Sequence, residues 1–267
     1  MKRIIYIILL TFSFTGVFAQ EEEKLYTFCK NFRYQEIEDG LNDFQKKSTN
    51  KIKYQWQNLL ERELVNDFFE QNIKFTKSVK IEGTTSNYTL YNYNLKLIKK
   101  KDGKIAFYKL IRLKNIKSKE KWIPKEIILS QNSNQMMRKL ESKFEEVYSY
   151  PLNHNELFES EIVYGRVCGH VRGTPEYRRK LTRLIKLKDT KSLVKWLKST
   201  VVEIQLYAID GILTLKKDGV IFDKSVFKLI DIISNKKGIA KTCRRCIYGG
   251  EFIKVIVEKI KKEHNKM

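Results

Sequence analysis

The chain has 267 residues, 42% of them hydrophobic, and carries 53 Lys and Arg against 31 Asp and Glu, a formal charge of +22. That length and apolar content suit one large or two ordinary domains, and no low-complexity segment interrupts them. Lysine outnumbers arginine 41 to 12 in a chain rich in Ile, Asn and Tyr, a bias that fits AT-rich codon use and argues against an arginine-built phosphate-binding surface.

The first residues read as a processing signal. Met1-Lys2-Arg3 precedes the apolar run Ile4 to Leu10, and Val17-Phe18-Ala19 supplies small residues ahead of Gln20 and three glutamates. This is the pattern of a secretory signal peptide over residues 1–19, cleaved near Ala19. The run is short for a spanning helix of roughly 20 residues, so no transmembrane segment is expected in the mature chain, which would be periplasmic or extracellular. Loss of Lys2 and Arg3 takes the formal charge from +22 to +20. From Ser160 onward there are 25 Lys and Arg against 11 Asp and Glu, so +14 of that charge falls in the C-terminal part.

Residues 20–150 are expected to form an α+β domain. Leu25, Phe28, Cys29 and Phe32 share a helical face that resumes with Ile37, Leu41 and Phe44. Trp56, Leu60, Leu64 and Phe68 recur at four-residue steps and predict a further helix from Lys53 to Gln71. Beyond Asn72 the period becomes two, which predicts a four-stranded antiparallel sheet covered by two to three helices. Asp102-Gly103 marks its tight hairpin turn, and Pro124 assigns the last strand to an edge. Met137, Leu140 and Phe144 fall on one stripe of a bridging helix over residues 134–148, after which Pro151 and Asn153-His154-Asn155 mark a boundary. Helices followed by an antiparallel meander resemble the cystatin-like and nuclear-transport-factor-like folds, a likeness of fold that carries over no functional residue.

Residues 160–267 are expected to be all-α. Thr174-Pro175 opens one helix, Asp189 caps a second, a third runs from Val201 to Asp218-Gly219, and Asp223 caps a fourth. Gly238 to Tyr248 and Glu251 to Lys262 are read as two more. Leu193 to Leu215, with Glu203-Ile204-Gln205 ahead of the small Ala208, resembles the helix pair of a HEAT-type repeat, Gln205 standing where that family's usual arginine falls. The resemblance implies a stacked helical surface for a protein or envelope component.

Of three histidines, none sits in a serine-hydrolase, metallopeptidase or phosphate-loop pattern, and the acids are read as scattered on solvent faces. Gly165 to Gly173 is the densest candidate site, because three glycines expose backbone amides beside Arg166, His170 and Arg172, a set suited to an anion. The bland reading of the same stretch is a flexible connection. In an oxidising compartment Cys168 is expected to pair with Cys243 or Cys246, with Cys29 left as a free core thiol. The alternative is zinc held by Cys168, His170, Cys243 and Cys246. These features favour a non-enzymatic binding or scaffolding protein of the cell envelope with no cofactor, weak nonspecific anion binding and no specific nucleic-acid partner. The alternative is an anion-handling or zinc-containing enzyme with its site in the Arg166–Arg172 loop.

Overall fold

The structure is a computed structural model that describes residues 21–118, 121–159, 161–169 and 173–265. The predicted signal peptide and its cleavage point at Ala19 lie outside the described residues, as do His170 and Arg172. The chain forms two compact units that are not consecutive in sequence: one runs to Leu59 and resumes over Gln71–Met137, the other joins Leu60–Glu70 to everything from Arg138 onward. The units therefore interleave, where the sequence suggested consecutive domains of 20–150 and 160–267. Helix 136–148 falls almost wholly in the second unit instead of bridging.

The first unit contains helices α1 (residues 21–30) and α2 (Tyr34–Lys46) and most of a sheet of five strands in sequential order, of which the stretch Leu60–Glu70 is assigned to the second unit. The strands are β1 (Ile52–Val65), β2 (Phe68–Lys80), β3 (Tyr88–Lys100), β4 (Ile105–Ser118) and β5 (Lys121–Ser133). The sheet thus has one strand more than the four expected. Lys53 to Gln71 is not a helix but β1, a turn and the start of β2. The four-residue step of Trp56, Leu60, Leu64 and Phe68 misleads because four is also a multiple of two, so the same spacing marks one face of a strand. Asn66-Asp67 makes the turn, Asn66 taking a positive φ of 48°. The expected hairpin at Asp102-Gly103 is present, Gly103 at φ 82°, and Pro124 lies on the edge strand β5.

Leu25, Cys29, Ile37, Leu41 and Phe44 from the helices pack on Phe75, Tyr93, Leu95, Leu97 and Leu110 of the sheet. The space left in this core is about 10 Å³, which holds no more than a water molecule. Two acids at the start of α1 fix it to the sheet: Glu21 accepts hydrogen bonds from the buried Lys77 at 2.8 Å, and Glu22 from Arg112 at 2.7 Å.

The second unit carries α3 (Met136–Tyr148), α4 (Glu176–Lys186), α5 (Thr190–Leu197), α6 (Val202–Lys217), α7 (Lys224–Ser234), strands β6 (Ile239–Arg244) and β7 (Ile247–Phe252), and α8 (Ile253–Asn265). The caps act largely as the sequence indicates. Asp189 accepts from the Ser192 amide at 3.0 Å and Asp223 from the Ser225 amide at 2.7 Å, while Pro175 itself occupies the cap of α4. Every residue of α6 from Val202 to Ile212 is buried, so α6 is the axis of the unit.

Gly238 to Tyr248 is not helical, and the unit is therefore not all-α. Gly238 has φ 98°, and a Cβ there would lie 2.3 Å from the Glu61 carbonyl oxygen, so the chain can pass the Arg62 backbone only as glycine. It leaves that crossing as the hairpin β6-β7, with the register Cys243↔Tyr248 and Arg244↔Ile247. Nor are the acids all on solvent faces. Glu203 is wholly buried and accepts from Arg62 Nη1 at 2.7 Å, while Arg62 Nε donates to buried Glu70 at 2.8 Å. Burial lowers the Arg62 pKa, but its two carboxylates more than offset this and raise it overall. Gln205, also wholly buried, donates to the Ser199 and Leu197 carbonyls and accepts from Lys236 at 3.1 Å. Among the described residues no helix is long and apolar enough to cross a membrane.

Candidate functional site

The glycine-containing segment before α4 is held, not loose. Tyr164 N donates to the Lys241 carbonyl at 2.8 Å, Cys243 N to Tyr164 O at 3.0 Å, Arg245 N to Val167 O at 2.9 Å and Gly169 N to Arg245 O at 2.7 Å. Residues 164–169 thus run parallel to β6 as an irregular third strand. Tyr207, projecting from α6, accepts from the Gly165 amide at 3.0 Å and donates to the Val163 carbonyl at 2.9 Å. The disulfide Cys168–Cys243 closes the same edge, with Cα atoms 5.5 Å apart. Gly165 is required by that closeness, since a Cβ there would lie 2.5 Å from the Cys243 carbonyl oxygen and 2.6 Å from its Sγ. Arg245 turns the hairpin at φ 56°, a left-handed conformation costly for a residue with a Cβ and stabilised here by its two backbone bonds to the loop.

Of the cysteines left over, Cys29 is free and buried and Cys246 is free and exposed. Burial pushes the Cys29 thiol up to about 12. Cys246 Sγ lies 3.7 Å from the Gly169 carbonyl oxygen. The disulfide engages two of the three sulfurs that the zinc alternative requires, and its fourth ligand, His170, is outside the described residues. Of the predicted anion ligands only Arg166 is described.

Antiparallel register places Cys243 and Tyr248 on one face of the hairpin and Thr242, Arg244, Ile247 and Glu251 on the other. A cleft opens on each side. The first, of about 560 Å³, is lined by Glu159, Glu161, Glu176, Tyr177 and Tyr248. Glu176 is paired with Lys180 at 2.5 Å. The second, of about 520 Å³, is lined by Arg166, Arg178, Arg244, Arg245 and Lys259 together with Glu251 and Glu263. Its two acids are already paired, Glu263 with Arg166 at 2.5 Å and Glu251 with Lys259.

Arg178 forms the inner wall of this second cleft. Its Nη1 donates to buried Asp210 at 2.6 Å and its Nε to the Gly165 carbonyl at 3.3 Å, and its guanidinium lies 5.0 Å from the Tyr207 ring centroid. The Asp210 carboxylate also meets His264 Nε2 at 2.9 Å. Burial raises the Tyr164 hydroxyl pKa, with Asp210 adding to the rise and Arg178 opposing it. A His–Asp pair of this kind can orient a base, but among the described residues no Ser, Thr or Cys hydroxyl or thiol is hydrogen-bonded to His264, and no catalytic assignment rests on it.

Sequence reasoning found Arg166 but not Arg178, Arg244, Arg245 or Lys259. The signal was present in Cys243-Arg244-Arg245-Cys246, which places two arginines at the end of a strand once the segment is read as a hairpin. Read as a helix, it scatters them around a cylinder. No protein-family model, curated protein or solved structure matches the chain.

Proposed function

We propose that the chain is an exported, non-enzymatic binding protein of the cell envelope that grips an anionic group of its partner, a phosphate or a carboxylate, in the arginine-lined cleft of its second unit. The observation that carries this reading is where the arginines stand. Arginine is the scarce cation here, 12 residues against 41 lysines, yet Arg166, Arg178, Arg244 and Arg245 line one cleft beside a single lysine, Lys259. A codon bias toward lysine does not produce that concentration. A planar guanidinium binds carboxylate and phosphate through paired hydrogen bonds, where an ammonium acts as a point charge. Arg244 and Arg245 are exposed at the hairpin end and Arg178 is fixed by Asp210, so a rigid inner cation faces two outer ones.

Export is supported by the leader-like first residues and by the disulfide Cys168–Cys243, which persists in oxidising compartments. The α5–α6 pair supports the reading of one HEAT-type helix pair, Leu193 seating against Gly211 of α6, and Asp210 of α6 holds Arg178 at the cleft wall. The test is retention on an anionic matrix. Arg244→Ala/Arg245→Ala should elute at clearly lower salt than the parent, whereas removing two exposed lysines outside the cleft, Lys217→Ala/Lys224→Ala, should shift elution only slightly. Equal shifts for the two pairs would mean a diffuse field and no site.

A further inference from the structure

We propose that the free end of the β4–β5 hairpin in the first unit docks on an anionic phospholipid surface. The pairing of β3 with β4 runs from Lys99↔Ile105 to Asn92↔Leu113, whereas β4 and β5 remain paired out to Ser118↔Lys121. The rungs beyond Leu113 therefore form a two-stranded arm, and its side chains from Lys114 to Lys117 and from Trp122 to Lys125 are exposed. Two-stranded ribbons are marginal in water unless something covers them.

What the arm carries argues for lipid as the cover. Trp122 is 70% exposed, Ile123 46% and Ile116 36%, the largest apolar groups on the arm. Ile116 opposes Ile123 on one face, and Trp122 lies on the other beside Lys117. A flat protein interface would bury one of these faces, whereas immersion of the arm end buries both. Lys114 and Lys125 form a rung two residues behind the isoleucine pair, about 7 Å further from the end, where phosphate headgroups would stand. From Lys114 to Lys125 the sequence carries five lysines against one acid, Glu120. Lys117 shares the Trp122 rung, one inside the last pair Ser118↔Lys121, so docking is at headgroup depth, where an indole is stable and a lysine can extend its ammonium to water. An apolar contact and a basic patch together meet the two-signal requirement for stable surface attachment.

The test is co-sedimentation of the purified protein with vesicles of phosphatidylcholine alone or mixed with phosphatidylglycerol, read together with tryptophan emission. Trp56 and Trp196 are partly buried, Trp56 bonded to Asn42 and Trp196 packed on Tyr177, so a blue shift on binding reports Trp122. The parent should pellet with the anionic vesicles and show a blue shift, and should stay in the supernatant when the vesicles are neutral. Lys114→Gln/Lys117→Gln/Lys125→Gln should weaken partition about 100-fold, and Trp122→Ser/Ile123→Ser should abolish the shift. Lys217→Ala/Lys224→Ala, outside both the arm and the cleft, should leave partition almost unchanged, which separates the arm from the general positive charge of the chain. The proposal is overturned if the parent ignores anionic vesicles, if it binds neutral ones equally, or if the arm variants bind as well as the parent. It is also overturned if Trp122→Ser/Ile123→Ser dissolves an oligomer in the absence of lipid, because the arm's occupant would then be a second copy of the chain.

Discussion

Individual side chains separate a reactive from an inert thiol. Cys246 is exposed at the hairpin turn, while Cys29 is buried with its thiol pushed up to about 12, so almost none of it is thiolate at pH 8. Iodoacetamide on the native, unreduced protein should therefore label Cys246 and spare Cys29, as peptide mass mapping would show. Labelling of both at similar rates would contradict the packing of α1 on the sheet. Arg62 is the most exacting single residue. It is 1% exposed and joins Glu70 of β2 to Glu203 of α6, and Glu203 also accepts from the Lys241 amide at 2.7 Å. Arg62→Met would leave two carboxylates buried without their cation and should cost about 3–5 kcal/mol, measured as a lowered denaturation midpoint. A change within about 0.5 kcal/mol, the size of an ordinary surface substitution, would show that the triad is solvated. Arg62 does not stand out in the sequence and Glu203 appears there only within Glu203-Ile204-Gln205, because charge patterning does not reveal which charges of a strand or helix end up inside a fold.

At the scale of elements, what was legible followed from local chemistry. The caps at Asp189 and Asp223, the stop at Asp218-Gly219, the turn at Asp102-Gly103 and the strand alternation beyond Asn72 all depend on neighbours in sequence, and all are present. What failed was decided by long-range pairing. β1 presents helical and strand spacing at once, and β6 is a strand because it takes backbone bonds from residues 164–169 and crosses Arg62 at Gly238. The candidate cleft was half legible for the same reason: Arg166 sits in a glycine-rich segment that attracts notice, whereas Arg178, Arg244 and Lys259 come from three separate elements. The disulfide is the covalent form of that long-range pairing. It closes a separation of 75 residues, for which chain entropy gives a ceiling of about 4.5 kcal/mol. Cys168→Ser/Cys243→Ser should lower stability by up to that amount and weaken anion retention as the loop leaves β6. Unchanged retention would mean that the hydrogen bonds alone hold the cleft.

At the scale of the whole molecule, buried and partly buried tyrosines set the alkaline limit. Burial raises the pKa values of Tyr54 and Tyr93 in the first unit and Tyr164 in the second, with Glu21, Glu22 and Asp210 adding to the rise. An unfolded tyrosine titrates near 10, so stability is fully present below about pH 10 and is lost as pH rises toward the folded values, because only the unfolded chain releases those protons. Thermal melts should hold steady from neutral pH to about 10 and fall beyond it in parallel with tyrosinate absorbance. Tyrosinate absorbance that climbs at about pH 10 without loss of structure would show that these rings titrate in the folded state.

The formal charge of +22 is large enough to give nonspecific anion binding by itself, so a binding role for the cleft requires that a site be separated from a field. Calorimetric titration of inorganic phosphate and of a hexa-aspartate peptide into the parent, the Arg244→Ala/Arg245→Ala variant and the Lys217→Ala/Lys224→Ala variant does so, since both variants lose the same net charge. A saturable single site is expected in the parent and the lysine variant for at least one of the two probes, weakened about tenfold or more in the arginine variant, as expected for lost paired hydrogen bonds to an anion. Equal weakening in the two variants, or unsaturable binding throughout, would contradict it.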